Sequence, residues 1–236
     1  MALPKVTAPT YELELPSTGK KVKYRPFLVK EEKLLLIATD SGDESQITQA
    51  VMDVMSACII TRGVKPENLA SFDLEYLFLK IRAASVGEEI VLNVRCLDDN
   101  ETEVSHSVNI NTIQVFKPEG HSDKIMLSDK VGVIMKYPSV SQFIRTGFVT
   151  DPNADPLDIV VESLDQIFEG EEITEASDCT KKELLSFIES MTQEQFQKLT
   201  EFFETMPRLQ HTFEVKNPNT GKTSNYTIEG LQSFFA

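Results

Sequence analysis

The run Tyr24-Arg25-Pro26-Phe27-Leu28-Val29-Lys30-Glu31-Glu32-Lys33-Leu34-Leu35-Leu36-Ile37-Ala38 holds a strand exit, a proline corner and a helix entry. Pro26 has no amide hydrogen to give a ladder and pushes Arg25 into an extended conformation, so a strand ends here. Beyond it, Leu28, Leu34, Leu35 and Ile37 recur at helical spacings, with Lys30, Glu31 and Lys33 on the other side. The spacing predicts an amphipathic helix whose leucines turn inward.

Upstream, Tyr11-Glu12-Leu13-Glu14-Leu15 alternates apolar and acidic residues, Pro16-Ser17-Thr18-Gly19 supplies turn chemistry, and Lys20 to Tyr24 resumes an extended pattern. This is the pattern of a β-hairpin. Downstream, Asp43 with Gln46 three residues on has the form of a capping box and opens a second helix to about Thr61, striped by Ile47, Val51, Val54, Met55 and Cys58 and ended by Gly63. Ser71 is read as the cap of a third helix, Asp73 to Ala84, with Leu74, Leu77, Phe78 and Ile81 inward. Strands follow over Ile90 to Cys96 and around Val104, Val108 and Ile110, joined by the turn Asp98-Asp99-Asn100. A further hairpin is expected across Lys124 to Met135, turning near Ser128-Asp129.

From Asp151 the pattern becomes helical. Asp155 as cap with Pro156 at the first helical position opens a helix whose stripe, Val160, Val161, Leu164, Ile167 and Phe168, runs to Gly170. Thr180 with Glu183, and Thr192 with Gln195, open two shorter helices carrying Leu184 and Ile188, then Phe196, Leu199 and Phe203, before Pro207 ends the series. Leu209 to Val215 alternates cleanly, Asn217-Pro218-Asn219-Thr220-Gly221 turns the chain, and a strand to Ile228 leads into a terminal helix, Glu229 to Phe235. The resulting fold class is α+β: β-hairpins with helices in the N-terminal part (1–120), a hairpin plus helical middle (121–206) and a C-terminal ββα unit (207–236).

Composition narrows the function. With 236 residues, 41 % of them hydrophobic, the chain has material for one large core or two small ones. A net charge of −14 argues against nucleic acid or an anionic membrane as partner and favours proteins. Cys58, Cys96 and Cys179, odd in number and far apart, suit reduced thiols. No apolar run reaches the length of a membrane span, and Met1 to Thr10 lacks the apolar centre of a signal peptide, so a soluble protein that works where it is made is expected.

Catalytic signatures are missing. There is no phosphate-binding glycine loop, no Gly-x-Ser-x-Gly and no His-Glu-x-x-His. His106, His121 and His211 stand alone in strands or a loop, and adjacent carboxylates such as Asp98-Asp99 and Glu171-Glu172 read as solvated charge in turns, lacking calcium-loop spacing. Cys58, on an apolar helical face, reads as a small hydrophobe. No catalytic residue, cofactor or metal is therefore expected. A hydrolase with scattered carboxylates is the remote alternative.

Three segments resemble the baseplate hub family of T4-type contractile-tailed phages: Arg25 to Ala38, Ile81-Arg82-Ala83-Ala84-Ser85-Val86-Gly87-Glu88, and Ile228-Glu229-Gly230-Leu231-Gln232-Ser233-Phe234-Phe235. None is a catalytic signature; their weight comes from occurring together in this order. The resemblance implies a structural or assembly protein of the tail baseplate hub, with other hub proteins, the tape-measure protein and further copies of itself as partners, made in the host cytoplasm and resident in the virion baseplate. The alternative it leaves open is a chaperone of the tape-measure protein absent from the mature virion. It also implies Cys-x-x-Cys knuckles at hairpin tips, as in some members. Here Cys96-Leu97-Asp98-Asp99 keeps one thiol, and Asn217-Pro218-Asn219-Thr220-Gly221 has the shape of a knuckle without its sulfurs. A scaffold needs adhesive surface, and the candidates for partner contact are Phe196, Phe202, Phe203, Leu231, Phe234 and Phe235, with an ordinary core as the competing reading of the phenylalanines.

Overall fold

The computed structural model describes residues 6–146 and 155–230. In chain order the elements are β1 Tyr11–Glu14, β2 Lys21–Tyr24, α1 Val29–Ser41, α2 Glu44–Cys58, α3 Ser71–Val86, β3 Glu89–Arg95, β4 Glu103–Asn109 and β5 Gln114–Phe116. There follow β6 Lys124–Met126, β7 Val131–Met135, α4 Val140–Thr146, α5 Pro156–Ser163, β8 Leu164–Glu169, β9 Glu172–Glu175, α6 Lys181–Glu189, α7 Gln193–Thr205, β10 Arg208–Lys216 and β11 Thr223–Glu229. The strands pair antiparallel in small sheets, ordered β1-β2, β3-β4, β11-β10-β5 and β6-β7-β8-β9, and the fold is α+β.

Two compact units result, one formed by Met1–Phe116 with Arg208–Ala236 and one by Lys117–Pro207. In the first, the β1-β2 hairpin pairs Tyr11 with Tyr24 and Leu13 with Val22, and turns through Gly19 at φ 67°, a conformation glycine adopts without cost. Its strand exit is as expected from Pro26: the Arg25 amide leaves the hairpin and donates to the Cys58 carbonyl at 3.0 Å. The second helix is shorter than its periodicity suggests. Asp43 caps it, accepting from the amides of Ser45 and Gln46 at 2.9 and 3.3 Å, but it stops at Cys58 because Ile59 turns extended and bridges Tyr24 of β2. In α3, Ser71 is the first helical residue and Ala70 the cap; Asp73, in the first turn, is buried and receives both the amide and hydroxyl of Ser17.

The closing hairpin is not a free-standing module. β10 pairs with β11 on one side and β5 on the other, Leu209 opposite Val115. Its Leu209, Phe213 and Val215 share a core with Leu79 of α3, Ile90 and Leu92 of β3, Val108 of β4 and Ile110. The terminal helix expected from Glu229 lies, beyond Gly230, outside the described residues; Glu229 itself ends β11.

In the second unit the middle is less helical than its pattern. The helix opened by Asp155 and Pro156 ends at Ser163, and Leu164 to Glu169, expected to prolong it, is a strand between β7 and β9. A short apolar run satisfies both the helical and the strand period, and the ladder offered by β7 decides between them. Gly170, at φ 63°, closes a tight turn into β9. The hairpin β6-β7 forms where expected. Both capping boxes are made: Thr180 with Glu183 starts α6, Thr192 with Gln195 starts α7.

Candidate interaction site

Among the described residues, the helix with the most exposed large apolar side chains is α1, the helix of the opening segment. Four consecutive apolar residues, Leu34 to Ile37, advance about 100° each and sweep most of the helix circumference, so one packed face cannot take them all. The inward face goes to Glu31 and Ala38 instead, with Leu35 half-buried. Glu31, only 5 % exposed, accepts from the Leu28 amide at 2.6 Å, which caps the helix, and from the Arg25 guanidinium at 3.0 Å. Burial alone pushes its carboxyl up, but the hydrogen bonds from Arg25, Leu28 and Lys30 outweigh that and hold it below the ordinary glutamate range.

This reverses the expected orientation. Leu28, Leu34 and Ile37 are exposed and Glu31 is inward, because the carboxylate is drawn to the guanidinium that the Pro26 corner brings beneath it. Val29 is 82 % exposed, Leu36 60 % and Ile37 58 %, on one side of the helix. Lys30 and Lys33 stand among them, exposed.

The two hairpin tips of the first unit are knitted together. Asn217, buried, donates from its amide nitrogen to Asp98 and Asp99 at 2.9 and 2.8 Å and accepts through its amide oxygen from the Asn219 amide at 2.8 Å. Thr220 donates to Asp98, and the Asn219 side chain reaches the Thr102 hydroxyl at 2.9 Å. Tyr226 completes the seam, its hydroxyl accepting from the Leu97 amide and donating to the Arg95 carbonyl. The partners of Asp98 and Asp99, Asn217 with Thr220 and Thr102 with Asn217, hold both carboxyls below the ordinary range. Cys96 is buried, and burial together with the Asp99 and Asp98 charges pushes its thiol up. The two turns are thus joined by a hydrogen-bonded cross-link in which Asn217 and Thr220 of one meet Asp98 and Asp99 of the other.

Among the described residues no three of His, Cys, Asp and Glu are grouped to hold a metal ion. His121 is held by the Thr205 and Tyr137 hydroxyls, each at 3.0 Å, and lies against Tyr137 and Phe202; burial pulls its pKa down. His106 and His211 stack on Phe213. Burial pushes the Cys58 thiol up to about 11, which keeps it protonated and unreactive. A cleft of about 310 Å³ in the second unit is lined by Lys136, Arg145, Glu162, Ser177 and Lys181, where Arg145 pairs with Glu162 and Lys181 with Asp158.

Of the aromatic candidates, Phe202 is buried in the core of the second unit, stacked on Tyr137 and edge-on to Phe203. Phe196 and Phe203 are half-buried and pack on the same cluster, beside Leu199. Leu199 and Phe203 were enough, by spacing, to define the inward face, yet it is Phe202 that fills the core. Leu231, Phe234 and Phe235 lie outside the described residues. The α1 face was missed among the candidates, although the sweep of Leu34 to Ile37 was a signal available in the sequence.

The described residues form small antiparallel sheets and short helices, an α+β fold with an exposed apolar face on one helix. The model of the family described as T4 bacteriophage base plate protein matches residues 8–236, and the chain belongs to that family. It is accordingly a structural protein of the phage tail baseplate that interacts with other baseplate components. No curated protein and no solved structure matches the chain. No helix among the described residues is long and apolar enough to cross a membrane.

Proposed function

We propose that the protein acts at the hub of the baseplate, joining hub components during tail assembly by protein-protein contact and performing no covalent chemistry. The observation that carries this is the face of α1, where Val29, Leu36 and Ile37 are left in water beside Lys30 and Lys33. Exposing such residues costs solvation that an ordinary surface avoids, and a docking partner recovers it. Other hub proteins and the tape-measure protein are the partners this reading names, reached in the host cytoplasm before the tail is complete.

The test pairs location with mutation. A phage carrying Leu36→Asp with Ile37→Asp should yield far fewer complete tails while the purified variant keeps the wild-type circular dichroism spectrum. Normal tail yield from that variant would refute the role of the face. Mass spectrometry of purified tails against infected-cell lysate separates a resident hub component, present in tails, from a tape-measure chaperone, present only in lysate.

A further inference from the structure

We propose that the protein pairs with a second copy of itself through the outer edge of β11, the two strands running antiparallel about Tyr226. β11 is bonded to β10 alone and spans seven residues in an unbroken register. The bonds at the two ends of this hairpin fix which way its backbone points: the Asn217 amide donates to the Lys222 carbonyl at 2.8 Å, and the Gly230 amide to the Leu209 carbonyl at 3.1 Å. By alternation, Ser224, Tyr226 and Ile228 turn their amides and carbonyls to β10, while Thr223, Asn225, Thr227 and Glu229 turn theirs away from it. An open edge of this length invites a further strand unless lysine, proline or a bulge guards it, and β11 has none of these.

The other described edges are short, charged or already capped. β5 and β6 have three residues each, β1 carries Glu12 and Glu14, β2 Lys21 and Lys23, and β9 Glu172 and Glu175. On β3 the Arg95 carbonyl accepts the Tyr226 hydroxyl at 3.0 Å, and on β4 the Asn109 carbonyl accepts the Thr112 hydroxyl at 2.7 Å. What selects a copy of β11 as the occupant is self-complementarity. Centred on Tyr226, the register uses the whole strand and sets Thr223 opposite Glu229, Ser224 opposite Ile228 and Asn225 opposite Thr227. Each outward amide then meets an outward carbonyl, and no like charges face each other. A slip of one residue would set outward groups against groups already bonded to β10. The core is open on the same side: Phe213 and Val215 of β10 are buried, while Tyr226 and Ser224 opposite them, and Ile228, stay half-buried. A second β11 shields them and joins two three-stranded sheets into one of six across a two-fold axis.

Sedimentation velocity of the full-length protein over a concentration series tests this, and should show a monomer-dimer equilibrium in the wild type. Asn225→Pro removes an outward amide and no bond to β10, and should raise the dissociation midpoint about tenfold or more with the circular dichroism spectrum unchanged. Asn225→Lys with Thr227→Lys sets lysine opposite lysine across the seam, and Asn225→Glu with Thr227→Glu sets glutamate opposite glutamate. Each double variant should be monomeric alone, and an equimolar mixture of the two should dimerise, since unlike charges then face each other in the same register. A wild type that stays monomeric up to about 0.1 mM, a dimer indifferent to Asn225→Pro, or a mixture that stays monomeric would overturn the proposal. The contact does not use α1, so Leu36→Asp with Ile37→Asp should dimerise as the wild type does. A dimer lost in that variant and kept in Asn225→Pro would place the pairing on α1 and sink the β11 seam.

Discussion

Glu31 and Asp73 are both buried carboxylates, and their surroundings shift them in opposite directions. Glu31 is held low by Arg25 and the Leu28 amide. The stability it contributes is present above the unfolded glutamate value, about 4.3, and is lost as pH falls through its lower folded value. Glu31→Ala also strands the Arg25 guanidinium and uncaps α1, and should cost about 2 kcal/mol in urea unfolding at neutral pH. Asp73 is raised by burial, against which the two bonds from Ser17 work only partly. Its contribution has the reverse sign, full below the unfolded aspartate value of about 3.9 and lost as pH rises through the folded one. Asp73→Asn should therefore be no less stable than wild type at pH 7 and should flatten the pH profile above about 4, as thermal unfolding across pH would show. A pronounced loss at pH 7 would mean the ionised carboxylate is worth more than its burial costs.

Among the elements, two seams decide whether the sheets hold. Gly132 in β7 lies under Phe168 of β8, and a Cβ there would run into the Phe168 ring and stand 2.7 Å from the Ile125 carbonyl. Gly132→Ala should destabilise the second unit by about 2 kcal/mol or more, measured by denaturant unfolding. A neutral result would argue that Phe168 continues a helix, as its spacing from Leu164 suggests. The other seam is the pair of hairpin tips. Asn217→Ala removes the donors to Asp98 and Asp99 and the acceptor for Asn219 at one stroke, and should cost about 2 kcal/mol. Hydrogen exchange should report it locally, with the Asn219 and Thr102 amides exchanging faster while those of α2 stay protected. In this seam side-chain hydrogen bonds alone join the two turns.

For the whole molecule, the two units differ in how the chain builds them. The second is continuous from Lys117 to Pro207, while the first closes only when β10 and β11 return to β5. A fragment of residues 117–207 should unfold cooperatively by itself. Residues 1–116 alone should not, since Ile90, Leu92 and Val108 would lose Leu209, Phe213 and Val215 from their core. Circular dichroism melts of the two fragments check this directly. The same discontinuity means that a C-terminal truncation before Arg208 removes core and not merely a tail.

What the sequence determined by itself is local. Asp43, Asp155, Thr180 and Thr192 start their helices where the spacing places them, and the hairpins turn at Ser17 to Gly19 and near Ser128, because caps and turns are settled within three or four residues. The family resemblance was legible for the same reason, being carried by short runs. Tertiary structure alone decided the rest. Whether Leu164 to Glu169 is helix or strand depended on β7, whether the tail hairpin stands free depended on β5, and whether Glu31 or Leu34 enters the core depended on Arg25. In each case two local solutions are close in energy, and a ladder or an ion pair supplied from elsewhere in the chain selects one.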